Sequence, residues 1–383
     1  MERRSVMLPL EGVRVVALEQ VVTGPFCTRH LADLGAEVVK IERRDGGDLA
    51  RRYDSVVKGQ SAYFVWLNRG KRSIALDVRR PDDRETLEAL LGRADVFVHN
   101  LGPGAVERLG LGWDAVHARW PRLISCSISG YGVDGPYRER KAYDLLIQAE
   151  AAVIDVTGTE ESPAKVGISI ADIAGGLYAC TSILAALRLR DADSLGRRID
   201  ISLFDCLAEW MMTPAYHQLY GGRAPPRTGT RHATIVPYGP YRCADGEVML
   251  AVQNEGQWER LCRDVLGRPE LAGDPRFVTN EGRVRLRGTL EPLIEDGLRL
   301  LTRRAAEERL AAADVPFGSR STVQELVAHP QLEQRGRWAR VATPGGEVRA
   351  LLPPFNISGV HIPMGAVPAL DEHGDAIREE LRQ

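Results

Sequence analysis

The run KVGISIADIAGGLYACTSILAALRLR, residues 165–190, sets one carboxylate, Asp172, between Ile170 and Ile173, ahead of Gly175-Gly176 and strongly helical sequence. Two kinds of chemistry fit that placement. A helix opening just after Asp172 brings its positive end and free N–H groups up to the carboxylate. Such N–H groups can also hold the oxyanion of a tetrahedral intermediate. Asp172 would then be a nucleophile, with Gly175 and Gly176 leaving room for a ligand or a partner helix to approach the backbone. Aspartate is also among the best N-cap residues, and a cap accounts for a lone Asp before a helix without catalysis. The stretch alone leaves both readings open.

The elements that must position this carboxylate read as an α/β alternation. Short Val-rich strands are expected at 12–19, 37–42, 73–78, 95–100 and 122–129, with helices at 28–36 and 81–94 between them. Strand–helix–strand units at this spacing predict a doubly wound parallel sheet, with ligand sites beyond the carboxyl ends of the strands. A long helix is expected from about 173 to 190, then a short strand and another helix within 197–220. The Gly-, Pro- and Arg-rich segment 221–232 reads as a linker. Beyond it come a hairpin around Asp245-Gly246, helices at 255–266, 281–300 and 302–313, and strands again within 337–359. The expected organisation is a large α/β domain over 1–220, a smaller α+β domain over 221–330, and a segment 331–383 returning to the large domain.

Composition narrows the classes. The chain has 383 residues, 44% hydrophobic and 27% charged, with a formal net charge of −2. That balance gives no global attraction to nucleic acid or anionic lipid, although its fifty basic residues leave room for local anion sites. The six cysteines form no C-x-x-C pair, so neither a disulfide framework nor a zinc site is expected. No segment reaches about 18 uninterrupted apolar residues and the N-terminus lacks a signal-length apolar core, so a cytoplasmic protein is expected. G-x-x-x-x-G-K-[ST], H-E-x-x-H and G-x-S-x-G are absent, and LGPGAVERLG (101–110) lacks the third glycine of a dinucleotide fingerprint.

Five stretches in order, LADLGAEVVKIE, NRGKRSIALD, HNLGPGAVERLGL, PRLISCSISGYGVDGPY and the opening run, resemble the class III CoA transferases. That superfamily includes formyl-CoA transferase, carnitine CoA-transferase and α-methylacyl-CoA racemase. Segment 141–360 looks most like members acting on C4–C5 dicarboxylic acids, the itaconate, mesaconyl and citramalate CoA-transferases. The resemblance implies a Rossmann-like large domain, an inserted small domain and an interlocked homodimer. It also implies that Asp172 is the nucleophile, passing through a mixed anhydride and an aspartyl-CoA thioester, with no metal and no tightly bound cofactor.

The same resemblance implies a CoA site. Val21 and Val22 would lie on the pantetheine side, Arg43 would contact the nucleotide, and Asn100, Leu101, Arg108 and Leu109 match CoA-contacting positions, with Arg as phosphate partner. Lys71, Arg72 and Lys141 are further matches. Where formyl-CoA transferases carry Gln this chain has Val22, and 221–330 holds no run of glycines, which argues against formate–oxalate exchange. Where racemases carry a His-Asp pair it has Tyr143-Asp144, so the imidazole base for racemisation is missing. Tyr143 and Asp144 are expected to line the thioester pocket. Arg231, with His232, is expected to clamp the distal carboxylate of a dicarboxylic acceptor, since guanidinium pairs bidentately with carboxylate; a basic linker is the plainer alternative. The expected activity is transfer of CoA from a donor such as succinyl-CoA to a small dicarboxylic acid. An intramolecular C1–C4 CoA shift or an acyl-CoA isomerase is the alternative.

Overall fold

The computed structural model describes residues 8–383. Six strands, β1 (Arg14–Leu18), β2 (Glu37–Glu42), β3 (Lys71–Ala75), β4 (Val96–His99), β5 (Ile124–Ser129) and β6 (Arg198–Ser202), form one parallel sheet in the order β3-β2-β1-β4-β5-β6. This is the doubly wound order, and its switch point lies between β1 and β4. Register is set by runs buried on both faces: Val16 pairs with Val39 on one side and Phe97 on the other. Val16, Val39, Ile74, Leu87, Leu91 and Phe97 are buried in one core cluster.

Helices α1 (Thr23–Asp33), α2 (Pro81–Gly92), α3 (Asp144–Glu150), α4 (Ile170–Asp193) and α5 (Leu203–Trp210) belong to this part of the chain. Helix α1 begins five residues before the expected start at 28, directly after the β1 loop. Helix α4 begins at Ile170, so Asp172 stands inside its first turn. Aspartate 172 is therefore not the N-cap; Ser169 holds that position. By length and composition α4 is long and apolar enough to cross a membrane, and half of that window is buried inside the protein. Ala171, Ala174, Gly175, Gly176 and Ala179 on it are buried. The glycine pair admits a neighbouring helix: a Cβ on Gly175 would lie 3.0 Å from Thr23 Cγ2, and one on Gly176 2.9 Å from the Thr23 carbonyl oxygen.

The described chain divides into two compact units, one of residues 8–151, 166–211 and 330–383, the other of 152–165 and 212–329. Residues 152–165, read from sequence as part of the large domain, cluster with the second unit. That unit carries β7 (Tyr238–Cys243), β8 (Gly246–Ala251) and β9 (Phe317–Gly318) in an antiparallel sheet, with α6 (Arg287–Leu298) among its helices. Its hairpin turns through Ala244-Asp245, and Gly246 already pairs with Cys243. Trp258, Tyr241, Phe277 and Leu290 anchor its own core.

The returning segment adds the pair β10 (Trp338–Val341) and β11 (Val348–Leu351) and ends in α7 (Gly374–Arg382). It also covers the edge strand β3. Gly70 N–H donates to the Ala366 carbonyl at 2.8 Å, His373 N–H to that of Ser73 at 3.0 Å, and Ala75 N–H to Asp371 at 2.8 Å. Edge backbone groups that would otherwise recruit another strand are thereby occupied.

Candidate active site

Asp172 is half-buried on the first turn of α4, and the Thr23 hydroxyl, on the first residue of α1, donates to its Oδ1. The glycine pair one turn further along α4 is what lets α1 come this close. Burial pushes the Asp172 carboxyl up to about 6; the Thr23 bond opposes the shift and the Asp144 carboxylate adds to it. No cation among the described residues enters this balance. A carboxylate left without a countercharge in a partly dry site has a raised pKa and a poorly solvated, reactive oxygen. Tyr53 faces the same region: burial, then Asp48, Tyr143 and Asp172, hold its phenol above the usual range.

The loop from β1 into α1 is fixed from two sides. Asn100, just past β4, accepts from Gln20 N–H at 2.9 Å and donates to the Gln20 carbonyl at 2.8 Å. The amide of Asn100 is thus a clamp on the loop. Buried Asp48 accepts from Val21 N–H at 2.9 Å and takes the Lys40 ammonium at 2.8 Å. Val21 is held at φ +66°, a left-handed conformation that a β-branched residue adopts only when its surroundings impose it. Val22 is buried against Phe26 and Leu67.

Outside the carboxyl ends of β1, β2 and β3 lies a crevice of about 690 Å³. Its apolar floor includes Leu18, Ile41, Leu76, Leu101 and Leu109, and its rim carries Arg43, Arg44, Arg79 and Arg80. Arg43 reaches Asp45 at 3.7 Å, Arg44 pairs with Asp83 at 2.7 Å and Arg79 with Asp77 at 2.8 Å. Arg80 has no ion pair among the described residues, although its charge acts on Asp83. A flat heteroaromatic group on the floor and phosphates at the rim would match this lining.

Of the expected CoA contacts, Arg43, Leu101 and Leu109 line the crevice. Arg108, beside Leu109, is exposed and among the described residues donates only to the Pro103 carbonyl, at 3.4 Å; Lys141 is exposed. Lys71 and Arg72 are elsewhere. Lys71 is buried, and its ammonium donates to Glu19 at 2.7 Å, Pro25 O at 3.0 Å and Asn68 at 3.1 Å, leaving no donor for a phosphate. Arg72 lies near the amino end of β3, paired with Glu37 and Glu380 at 2.6 Å each. Arg44, Arg79 and Arg80 went unread in the sequence, though the strand-end rule that selected Arg43 would have found them.

Tyr143 is 64% exposed, whereas the side chain of Asp144 turns to the backbone of α4, accepting from Ala171 N–H at 2.8 Å. In the second unit, Arg231 lies 3.3 Å from Glu291 and 3.4 Å from Glu295, both on α6, and its guanidinium sits over the Tyr241 ring. His232 stacks on Tyr238 and accepts from Thr234 N–H at 3.1 Å. The expected carboxylate clamp is already occupied by the protein's own carboxylates. Arg227 likewise donates to the carbonyls of Asp155, Thr159 and Glu160.

A doubly wound domain with a nucleotide-sized crevice at its strand ends and a desolvated carboxylate on the first turn of α4 carries the parts that group transfer needs. Residues 10–374 match CoA-transferase family III. The chain is 35% identical to acetyl-CoA:oxalate CoA-transferase of Acetobacter aceti, over 97% of this chain and 96% of that one. It is 34% identical to succinate–glutarate CoA-transferase of Agrobacterium fabrum, over 86% and 84%. A CAIB/BAIF family protein from Brucella suis, solved by crystallography, superposes with a TM-score of 0.84 at 38% identity, covering 98% of this chain and 99% of its own. The chain belongs to CoA-transferase family III and is an enzyme with CoA-transferase activity.

Proposed function

We propose that the enzyme moves CoA between succinyl-CoA and a small dicarboxylate, with Asp172 as the covalent carrier. The observation that carries this reading is the half-buried Asp172 carboxylate, oriented by Thr23 and lacking a cation. An Asp172 oxygen attacks the donor thioester carbonyl, and collapse expels CoA thiolate and leaves a mixed anhydride. The thiolate attacks the aspartyl carbonyl, releasing the donor acid and forming an aspartyl-CoA thioester. The acceptor carboxylate attacks that thioester, expelling thiolate and forming a second anhydride. Thiolate attack on the acceptor's acyl carbonyl then gives the new acyl-CoA and frees Asp172. No water, proton or redox equivalent is consumed, and each step has a leaving group comparable to its nucleophile.

The CoA nucleotide would lie in the crevice of about 690 Å³, with phosphates near Arg43, Arg79 and Arg80. The choice of a dicarboxylate leans on relatives named for oxalate, for glutarate and, in Haloarcula hispanica at 32% identity, for succinyl-CoA and mesaconate. Two copies as the working unit would cover the helix Met212–Gly221, which buries no residue and exposes Tyr216, Leu219 and Tyr220.

The test is mass spectrometry of CoA products from succinyl-CoA with glutarate, mesaconate, itaconate, citramalate and oxalate. A new acyl-CoA is expected with at least one acid and none from Asp172→Ala, a loss of at least about 10³-fold if the covalent route is removed. Exchange by Asp172→Ala at the parent rate would end the reading. No exchange with any acid would favour an isomerase, checked by deuterium uptake at the α-carbon in D₂O.

A further inference from the structure

We propose that Asp144 and Gln148 are positioning residues that hold the first turn of α4, and Asp172 on it, in place; the catalytic part of this rests on Asp172 being the nucleophile. Helix α4 has no cap of its own, since Ser169 at the N-cap makes no side-chain hydrogen bond. An uncapped helix start leaves its first N–H groups without partners. Asp144, 27 residues earlier in the chain, supplies one: its Oδ1 accepts from Ala171 N–H at 2.8 Å, one residue before Asp172.

The other carboxylate oxygen is held in turn. Asp144 Oδ2 accepts from Gln148 Nε2 at 2.7 Å, and Gln148 Oε1 accepts from Val166 N–H at 2.8 Å. Gln148 Nε2 also reaches the Ile168 carbonyl at 3.5 Å, and Gln148 is fully buried. Each end of the amide therefore has a partner that only that end can satisfy, which fixes its orientation. One turn of α3 thus grips residues 166, 168 and 171, the whole approach to the nucleophile. Sequence placed Asp144 in the thioester pocket; its two oxygens are spent on the protein instead.

The clamp also bears on charge. The titratable groups acting on or facing Asp172 are Asp144 from α3 and Tyr53 from the loop beyond β2, with Thr23 donating from α1 and Tyr143 beside Tyr53. A carboxylate cap supports the helix start and at the same time disfavours a second negative charge one residue past the amide it binds. A neutral cap would support the turn without that second effect.

The full-length enzyme is assayed for CoA transfer from succinyl-CoA to the acid identified above, alongside amide hydrogen exchange over residues 166–175. Asp144→Ala is expected to speed exchange at Ala171 and its neighbours about tenfold, the scale of a lost cap. It should lower kcat while leaving KM for the CoA donor within about twofold, as expected of a residue that touches no substrate. Asp144→Asn keeps an acceptor for Ala171 and loses the charge, so the lower pH midpoint of kcat should fall. Gln148→Glu keeps the acceptor for Val166 and loses the donor to Asp144, and should speed exchange over the same segment. Unchanged exchange in both Asp144→Ala and Gln148→Glu would overturn the clamp. A raised donor KM with parental exchange would overturn it too, making Asp144 a substrate contact. If Asp172→Ala still transfers CoA the nucleophile reading fails by itself, and the exchange measurement continues to decide the clamp.

Discussion

Aspartate 172 couples reactivity to acidity in a way that two measurements can separate. Its folded-state pKa, about 6, lies above the 3.8 of an ordinary aspartate, chiefly because the site is desolvated. In the proposed nucleophilic role it must be ionised, so kcat/KM for CoA transfer should rise with pH through about 6 and then level. The stability consequence has the opposite direction. A raised folded pKa means that the folded protein keeps this proton longer than the unfolded chain does. The stability it contributes is complete below 3.8 and lost as pH rises through about 6. Asp172→Asn should therefore raise the thermal midpoint at about pH 7.5 and leave it unchanged near about pH 4, read by calorimetry. An equal gain at both pH values would show that the charge is not what strains the site. In the sequence the lone carboxylate was legible as a candidate. The cap is excluded because α4 starts at Ile170 with Ser169 at the N-cap, and the partner the carboxylate does have, the Thr23 hydroxyl, lies 149 residues away, which no local pattern announces.

At the scale of elements, the approach of α1 to α4 makes the site, and glycine makes the approach. A Cβ at Gly176 would meet the backbone oxygen of Thr23 at 2.9 Å, and backbone cannot rotate away as a side chain can. Gly176→Ala should part the two helices by a few tenths of an ångström and draw Thr23 off Asp172. The expected loss is about 1–3 kcal/mol of stability, the usual cost of overpacking. Urea denaturation measures that loss, and the same variant's kcat should fall more than its KM rises. Strands β1 to β6 were readable because their apolar runs are short and punctuated by turns. Boundaries moved where tertiary contacts gather: α4 starts at Ile170 rather than 173, at the turn where Asp144 reaches in from α3 to accept from Ala171 N–H. The mistaken assignment of Lys71 to the nucleotide has the same root. Its position near a strand was visible, but which end of the strand faces the crevice depends on sheet polarity, and its burial depends on Glu19, fifty-two positions away.

At the scale of the whole molecule, the first unit is closed by its last segment. Ala366, Asp371 and His373 occupy the hydrogen-bonding edge of β3, and Arg72 ties that strand to Glu380. Removing residues 366–383 should uncover that edge and the pair of charges beside it. The expected outcome is a lower thermal midpoint together with growth of soluble aggregates, followed by light scattering on warming; a truncated chain that stays monodisperse at the parental midpoint would show the cover to be dispensable. In the sequence strand patterns resume after 337, and residues 330–383 cluster with the first unit. The clustering of 152–165 with the second unit carries no such mark, since nothing in its composition differs from a surface loop of the first.

That closure by the last segment has a consequence for synthesis. β3 leaves the ribosome roughly 300 residues before the segment that seals it, and at about 5–20 residues per second its edge waits some 15–60 s for a partner. The nascent chain spends that interval with an open parallel sheet, and a second nascent chain on the same message would offer the same free edge. Holding factors that bind extended apolar chain therefore have a defined window in which to act, and it ends when His373 emerges.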